Sequence, residues 1–415
     1  MLTPDDASVA AREEALPGLA LLLDAEAFAA ALREQLPDAG IAGASEFYAR
    51  YKPGRSCVVA FRVQAGDTDV DVYARAMPRE SFERIEADEG VLLLEDAAVS
   101  VCVFPHDQEI ETLARLGRPD TRSKLLAEVM PDRPALWGAK AERVRYWPER
   151  RFVARLETEN GDAAAFKLYA ERSYKGAGHN ACAFVPRGEL RLAECLGRSD
   201  RHRALAFEWL PGRVMDQLMV EPGFDDSTLA RVGAALAELH AQQPPGLEPR
   251  SPEAESKFLH TRARWVGTVR PELAERTRTL AERIDTALQG HSPAGSPIHG
   301  DFTPRQVLVA PDGVSIIDLD DATLGEPAND LGVFISRLEL MAVSGSLSAA
   351  RAQALVSTLL DGYEARAGPG SVDRPAVTRH CAAELVRRLP GAFRRRGDNW
   401  MKLMEATLER AEEIA

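Results

Sequence analysis

The alternation of apolar and polar positions predicts helices at the start of the chain and strands soon after. Apolar residues recur every three to four positions in DAEAFAAALREQL (residues 24–36), which is typical of an amphipathic helix. Residues 50–77 contain a Pro-Gly turn and two runs of alternating polarity around a polar turn, which predicts β-strands. After Leu331 the pattern indicates helices separated by Gly and Pro. This order predicts an α+β fold with segregated parts.

Three segments between these parts carry signals of their own. The stretch GELRLAECLG (188–197) predicts a short amphipathic helix that holds Glu189 and Glu194. ALAFEWLPG (204–212) predicts an apolar strand that ends at a Pro-Gly pair and leads into a helix. STLARVGAALAELHAQ (227–242) has a Ser/Thr N-cap and one apolar face, which predicts a helix.

The two β-rich segments of the chain resemble each other. RYKPGRSCVVAFRVQAGDTDVDVYARAM (50–77) and RYWPERRFVARLETENGDAAAFKLYAER (145–172) share an Arg-Tyr-x-Pro start and a later Tyr-Ala pair. This self-similarity indicates two related β-modules, although two hairpins can also resemble each other by chance. Two residues before the tyrosine of that pair, the second copy has Lys167 where the first has Asp71. Because a lysine on the third strand of a nucleotide-binding sheet can reach the phosphates and an aspartate would repel them, we expect the nucleotide in the second copy.

Length, composition and charge narrow the class of protein. With 415 residues the chain exceeds one ordinary core, so two or three domains are expected. The formal net charge of −13 argues against a nucleic-acid-binding protein, which needs a basic face. No apolar run approaches the roughly 18 residues of a membrane span. The acidic start, MLTPDDASVAAREE, lacks the pattern of a signal peptide.

The cysteines are few and scattered. They are odd in number, form no C-x-x-C motif, and lie at Cys57, Cys102, Cys182, Cys195 and Cys381. Reduced thiols in a cytoplasmic protein are therefore expected, with neither a zinc site nor a disulfide framework.

The stretch HGDFTPRQVLV (299–309) places polar residues where a catalytic site would need them. The chain alternates in polarity, turns at PDG (311–313) and alternates again, which predicts a β-hairpin. Gln306 opens the first strand and Asp318 ends the second, so the hairpin brings them together, with Asp301 in the adjoining loop. An amide oxygen and a carboxylate suit a hard divalent cation. A further carboxylate nearby can accept a proton from an attacking hydroxyl.

These residues resemble the aminoglycoside phosphotransferase and choline kinase superfamily. The shared pattern is H-G-D, an amide residue five positions after the Asp, then I-D, then P-x-x-D-L, here within EPANDLG (326–332). The usual amide residue is Asn, whereas this chain has Gln306, as in the maltokinase-like branch. The resemblance is strongest over 299–332 and extends with less similarity over 145–240.

The resemblance implies a bilobal, protein-kinase-like fold with a β-rich N-lobe and a mainly helical C-lobe. The maltokinase-like branch also carries an additional N-terminal cap module, which here would be of α+β type. The implied domains are a cap over residues 1–140, an N-lobe over 141–212 and a C-lobe over 213–415.

The resemblance also implies ATP and Mg²⁺ as cofactors. Asp301 would be the catalytic base, and Gln306 and Asp318 would be the magnesium ligands. Lys167 would contact the nucleotide phosphates.

Further contacts to the nucleotide are implied in the second β-module. Glu189 is preferred to Glu194 as the carboxylate that holds Lys167, because it lies nearer the start of the predicted helix. The strand residues against which adenine would stack and pair are Phe207, Glu208 and Leu210.

Other polar residues have structural interpretations. His299 is expected to order the loop, Asp330 to be an N-cap or a partner of the catalytic loop, and His240 to be packed or at the surface. The run Arg394–Arg396 is typical of a solvated face. Near Trp400 it could instead border an acceptor pocket in which the indole stacks on a sugar ring.

The leading hypothesis is an ATP- and Mg²⁺-dependent kinase of the cytoplasm. Its acceptor would be a small molecule with a free hydroxyl: first a sugar or an aminosugar, and second an aminoglycoside-like or amino-alcohol compound. The protein would be a monomer or homodimer. The alternative is a pseudokinase-type binding protein. Two features favour it: YWPERRF stands where protein kinases have G-x-G-x-x-G, and Gln306 replaces the usual Asn. The presence of every residue that transfer requires argues against that alternative.

Overall fold

The computed structural model describes residues 2–85, 90–289, 295–311, 313–397 and 399–415. Asp312, in the predicted PDG turn, lies outside the described residues. The chain folds into two compact units. Unit 1 contains Met1–Asn160, Lys167–Arg172 and Pro390–Met404, and unit 2 contains Gly161–Phe166, Ser173–Leu389 and Glu405–Ala415.

Strands predominate before residue 215 and helices after it. The strands are β1 Ile41–Lys52, β2 Ser56–Ala65, β3 Thr68–Ala76, β4 Val91–Leu94, β5 Val99–Val103, β6 Lys140–Trp147, β7 Arg151–Glu157, β8 Ala163–Tyr169, β9 Leu190–Arg191, β10 Cys195–Ser199, β11 Ala204–Glu208, β12 Arg213–Val214, β13 Ser296–Ile298, β14 Val307–Ala310, β15 Gly313–Ile316 and β16 Thr323–Gly325. The helices are α1 Pro4–Ala11, α2 Leu19–Leu22, α3 Ala25–Gln35, α4 Arg79–Phe82, α5 Pro119–Val129, α6 Glu171–Asn180, α7 Met215–Leu218, α8 Ser227–His240, α9 Pro252–Val269, α10 Ala274–Gln289, α11 Pro327–Val343, α12 Ala349–Ala367, α13 Arg374–Arg388, α14 Pro390–Arg394 and α15 Trp400–Ile414. The predicted α+β class is confirmed.

Unit 1 contains an antiparallel sheet with the strand order β1-β2-β3-β5-β4. The residues Cys57–Phe61 of β2 are completely buried. The predicted N-terminal helix is α3, which begins after Asp24, whose carboxylate accepts hydrogen bonds from the first-turn amides. Phe28 of α3 stacks on Phe61 of β2 with 4.1 Å between ring centroids. Burial of such side chains, at about 1.5–3 kcal/mol each, holds the helix on the sheet.

The two similar sequence segments fold into hairpins with the same turn. β1 pairs with β2, and β6 pairs with β7. In each turn the N–H of the fourth residue donates a hydrogen bond to the carbonyl oxygen of the first. The N–O distance is 2.9 Å in the turn Lys52–Arg55 and 3.1 Å in the turn Trp147–Arg150. The third turn residue has a left-handed backbone in both, with φ of 66° at Gly54 and 60° at Glu149. The self-similarity of the sequence thus extends to the local geometry of unit 1.

Arg396 and Trp400 do not fit the alternative interpretation, in which the C-terminal basic run borders an acceptor pocket. Arg396 donates to both carboxylate oxygens of Asp6, at 3.0 and 2.7 Å, and its side chain is 3% exposed. Trp400 is also buried and packs edge-on against Phe393, with ring centroids 5.2 Å apart. Stacking of this indole on a sugar is therefore wrong, because the core of unit 1 covers the ring.

Unit 2 is mainly helical and carries the predicted hairpin. Helix α8 packs against α12, and α11 packs against α13. The predicted helix at 227–242 is α8, although Asp226 rather than a Ser or Thr is its N-cap residue. A small sheet with the order β12-β14-β15-β9 contains the hairpin as β14 and β15, and β13 pairs with β16.

The helix predicted over 188–197 is wrong. Leu190 and Arg191 form β9, which runs parallel to β15, and Cys195 begins β10, which is antiparallel to β11. The apolar spacing of this segment fits a helix, but pairing with strands distant in sequence satisfies its backbone and buries Leu190. The segment is therefore two short strands joined by a loop.

The expectation of reduced thiols is wrong for one pair. Cys182 and Cys195 of unit 2 form a disulfide with Cα atoms 5.7 Å apart, whereas Cys57, Cys102 and Cys381 are buried thiols. Scattered spacing in the sequence carries no signal for this pairing, because the fold alone brings the start of β10 to Cys182. No helix in the described part of the chain combines the length and apolar character needed to cross a membrane.

Candidate active site

The two strand ends of the hairpin meet in unit 2 as predicted. Gln306 ends a 3₁₀ turn (Pro304–Gln306) immediately before β14, and its carbonyl accepts a 2.9 Å hydrogen bond from the N–H of Ile317, just after β15. Asp318 follows with a left-handed backbone, φ 68° and ψ 52°. Aspartate tolerates this conformation better than most residues. The backbone therefore turns sharply at the predicted metal ligand.

The loop that carries Asp301 lies against the turn that follows Asp318. Gly300 has φ 85°, and a Cβ at this position would overlap the carbonyl oxygen of Asp321. Only glycine allows both the left-handed backbone and this close approach. The glycine of the H-G-D motif thus places the Asp301 loop beside the 3₁₀ turn Leu319–Asp321.

Asp330 holds the H-G-D backbone in place. It is completely buried near the start of α11, and its carboxylate accepts hydrogen bonds from the N–H of His299 at 2.6 Å and of Gly300 at 2.9 Å. His240 Nε2 lies 3.0 Å away. Burial by itself raises the pKa of Asp330, but the hydrogen bonds and charges of His240 and His299 outweigh it and lower the pKa. Asp330 is thus the partner of the H-G-D loop, and the N-cap of α11 is Glu326.

His299 joins the H-G-D loop to the hairpin end. Its ring is buried and its Nε2 lies 3.0 Å from the carbonyl oxygen of Ile317, the residue before Asp318. His240 is packed, with Nδ1 2.9 Å from the hydroxyl of Tyr363. His299 thus orders the loop and His240 is packed, as expected from the sequence, whereas the contact of His240 with Asp330 was not expected.

Asp301 faces an arginine that sequence reasoning missed. Arg388, on α13, donates from Nη2 to Asp301 Oδ1 at 3.0 Å and pairs through Nε with Glu384 at 2.7 Å. Although 47% of the Asp301 side chain is exposed, the surrounding protein desolvates the carboxylate and raises its pKa, and Arg388 is the largest opposing influence. Nothing in the sequence signals Arg388, because it lies outside any motif and far along the chain from Asp301.

The oxygen donors at the hairpin end fit a magnesium ion. The hydroxyl of Thr303 donates to Gln306 Oε1, which leaves a second lone pair on that oxygen for a cation. Across the described ranges, no three His, Cys, Asp or Glu side chains cluster as a metal site. An amide and one carboxylate would need further oxygen ligands, which is the arrangement Mg²⁺ adopts with phosphates and water.

In unit 1, Lys167 lies on β8 and is 9% exposed. Its counterpart in the first copy, Asp71, is held by ion pairs with Arg62, at 3.1 Å, and with Arg143. Asp71 thus has a structural explanation in unit 1.

The remaining predicted nucleotide contacts lie in unit 2. Phe207 is buried on β11, and Glu208 is exposed at its end. The Glu208 N–H already donates to the carbonyl of Glu194 at 2.9 Å. Glu189 is exposed, and its carboxylate lies 3.4 Å from Arg231. The helix that favoured Glu189 over Glu194 does not form, so the structure removes that reason for the choice.

The comparison with protein families identifies the chain. Residues 132–369 match the family model APH, described as the phosphotransferase enzyme family, and this match spans more than half of the chain. The chain belongs to the phosphotransferase enzyme family. The predicted superfamily is thereby confirmed, and the protein is a kinase, a phosphotransferase that acts on hydroxyl acceptors. No curated protein matches the chain significantly.

Solved structures share the fold of this phosphotransferase. A choline/ethanolamine kinase family protein from Mesorhizobium loti is 18% identical, with a TM-score of 0.50, over 71% of this chain and 94% of that one. Choline kinase from Cryptosporidium parvum Iowa II is 9% identical, with a TM-score of 0.52, over 72% of this chain and 95% of that one. At these identities the likeness shows the fold alone, and it confirms the protein-kinase-like architecture.

Proposed function

We propose that this phosphotransferase moves the γ-phosphoryl group of ATP to a hydroxyl of a sugar, an aminosugar or an aminoglycoside-like acceptor. The proposal depends mainly on one observation: in unit 2, the loop that carries Asp301 and the end of the hairpin lie together. The buried Asp330 fixes the Asp301 loop, and that loop lies directly against the turn after Asp318. This arrangement supports a site in which Asp301 would serve the acceptor and the oxygens of Gln306 and Asp318 would serve a cation.

Asp301 would act on the acceptor. As the acceptor oxygen bonds to the γ-phosphorus and the bond from that phosphorus to the β-phosphate oxygen breaks, the hydroxyl proton passes to Asp301 and ADP leaves. The Arg388 guanidinium, itself paired with Glu384, orients the carboxylate and favours its ionised form. Most of the rate enhancement then comes from positioning and charge neutralisation.

Gln306 and Asp318 would hold Mg²⁺ through their side-chain oxygens. When bound, the cation neutralises charge on the nucleotide phosphates. The hydrogen bond between the Ile317 N–H and the Gln306 carbonyl fixes the separation of the two ligand-bearing strand ends. The rigidity of this hairpin end is what these residues contribute.

Lys167 would contact the α- and β-phosphates. Adenine would stack on the strand segment that contains Phe207, and Leu210 would contribute to the same surface. Pairing of adenine would use backbone groups other than the Glu208 N–H, which Glu194 occupies.

The domain organisation remains a proposal. We propose a cap over residues 1–140, an N-lobe over 141–212 and a C-lobe over 213–415, as in the maltokinase-like branch. The protein would act in the cytoplasm as a monomer or homodimer.

Lys167→Ala is expected to raise the KM for ATP about tenfold or more, because a buried cation no longer faces the phosphates. Steady-state kinetics over a range of ATP concentrations measure this effect. Lys140→Ala, which removes an exposed lysine from β6, is the control and should leave the KM unchanged. An unchanged KM in the Lys167 variant would remove this residue from the nucleotide site.

The proposed acceptor class is tested with a screen of hydroxyl compounds for ADP release, preceded by measurement of ATP binding. Turnover with one sugar, aminosugar or aminoglycoside supports the proposal. ATP binding without turnover on any such compound contradicts the proposed acceptors and favours the pseudokinase-type alternative.

A further inference from the structure

The turn Trp147–Arg150 of unit 1 occupies the place where protein kinases have a glycine-rich loop, between the first two strands of the sheet that carries Lys167. Under the proposed function this turn would approach the nucleotide phosphates. Arginines flank it: Arg145 and Arg151 each lie over the indole of Trp147, at 4.9 and 4.7 Å from the ring centroid. The carbonyl of Arg150 accepts a 2.9 Å hydrogen bond from the N–H of Ala170. The turn is thus basic and tied to the end of β8.

The buried carboxylate of Asp107 holds the turn in place through hydrogen bonds. Asp107 Oδ2 accepts hydrogen bonds from the Tyr146 hydroxyl at 2.7 Å and from the Glu149 N–H at 2.9 Å. Its other oxygen accepts from the backbone N–H groups of Glu109 and Ile110, at 2.9 and 3.0 Å. Asp107 is 6% exposed, so its four donors replace the water that a free carboxylate would bind.

The first hairpin has the same anchor. Glu13 Oε2 accepts hydrogen bonds from the Tyr51 hydroxyl at 2.6 Å and from the Gly54 N–H at 2.8 Å. Tyr51 and Gly54 stand in the positions of Tyr146 and Glu149. A carboxylate that binds both the tyrosine and the turn amide is therefore a common feature of the two hairpins.

Glu149 adds an interaction that the first hairpin lacks. Its side chain is 6% exposed and forms ion pairs with Arg50 of β1 at 2.5 Å and with Arg75 of β3 at 3.2 Å. Glu149 also has a left-handed backbone, which is unfavourable for a residue with a side chain and which Gly54 adopts freely. Glu149 occupies this position despite its unfavourable backbone conformation. Its side chain forms a buried double ion pair that glycine could not form.

We propose that Glu149 and Asp107 are positioning residues for the nucleotide: they fix the turn Trp147–Arg150 onto the first sheet so that its backbone is preorganised to receive the phosphates of ATP. A glycine-rich loop adapts to the phosphates through its flexible backbone. In this turn, contacts from residues outside it fix the backbone instead. Arg50 and Arg75 set ATP affinity without contacting ATP. The inference rests on the proposed function of the second β-module.

Glu149→Gly tests the proposal, because it gives this turn the residue found in the first hairpin and relieves the backbone strain. We expect the backbone N–H groups of Trp147, Glu149, Arg150 and Arg151 to exchange hydrogen about tenfold faster or more in the nucleotide-free protein, because local opening becomes easier. We expect the KM for ATP to rise at least about fivefold, with kcat and the acceptor KM within about twofold of wild type. Arg75→Met, which removes one partner from outside the turn, should change both quantities in the same direction by a smaller factor.

Glu13→Gln is a control in the first hairpin, where Glu13 is the counterpart of Asp107. It weakens the equivalent anchor of the hairpin that has no nucleotide lysine, so it should speed exchange near residues 52–56 and leave the KM for ATP unchanged.

Exchange at 147–151 that stays at the wild-type rate in Glu149→Gly overturns the proposal. Faster exchange with an unchanged KM for ATP also overturns it and leaves the proposed function standing. A wild-type protein that does not bind ATP refutes the proposed function itself, and the inference fails with it.

Discussion

Asp301→Asn is expected to lower turnover by about 10²–10⁴-fold, the range typical of a lost general base. The amide has the size of the carboxylate but cannot accept the hydroxyl proton at neutral pH. Arg388 keeps its second partner, Glu384, so the surroundings of the loop should persist. The measurement is kcat for a hydroxyl acceptor and for the slow hydrolysis of ATP, with ATP binding followed in parallel by thermal shift.

Asp361→Asn is the control for Asp301→Asn. Asp361 is exposed on α12 of the same unit and lies 4.0 Å from Arg374, so loss of its charge should leave kcat unchanged. Turnover by Asp301→Asn equal to that of wild type would remove the proposed mechanism. A loss of ATP binding would show instead that this variant had damaged the fold.

Asp330→Ala is expected to lower the free energy of unfolding by about 3–5 kcal/mol, because it leaves two backbone N–H groups and His240 without their buried acceptor. At about 2–4 °C per kcal/mol, the midpoint of thermal unfolding should fall by about 6 °C or more. Activity should fall as well, since the H-G-D backbone loses the group that fixes it. Differential scanning calorimetry with parallel kinetics measures both effects.

Ser336→Ala is the control on the same helix. The Ser336 hydroxyl is buried and donates only within α11, to the carbonyl of Val333 at 2.7 Å, so its loss should have a small effect on the free energy of unfolding.

The stabilisation that Asp330 provides also depends on pH. Because its pKa is lowered in the fold, the stabilisation is fully present above the ordinary value of 3.8 and is lost as pH falls through the folded pKa. Equal midpoints of thermal unfolding for wild type and Asp330→Ala at pH 7 would contradict the role of Asp330.

The hairpin and its polar ends could be predicted because their determinants are adjacent in sequence. A short strand, a turn and a second strand bring Gln306 and Ile317 together whatever the rest of the chain does. The H-G-D motif could be recognised, but the backbone requirement at Gly300, which its contact with Asp321 imposes, is visible only in the structure. The similarity of the two β-modules could also be predicted from the sequence, because the repeated pattern includes residues of the turn itself.

What the sequence did not reveal depends on contacts between residues far apart in the chain. Arg388 meets Asp301 only because α13 packs within unit 2, and no local pattern marks an arginine as an ion-pair partner. The segment 188–197 has helical spacing, but its strands pair with β15 and β11. Trp400 looked available for a sugar because its burial against Phe393 depends on the fold of unit 1.

The central claim is tested most directly by the affinity of a non-hydrolysable ATP analogue with Mg²⁺ and with EDTA, measured by calorimetry for wild type and Asp318→Asn. Asparagine tolerates the left-handed backbone of Asp318, so the hairpin end should keep its shape. We predict that Mg²⁺ tightens binding by about tenfold or more in wild type and that most of this gain is lost in the variant. Equal affinity with and without Mg²⁺ in wild type, or a full magnesium effect in Asp318→Asn, would contradict the account.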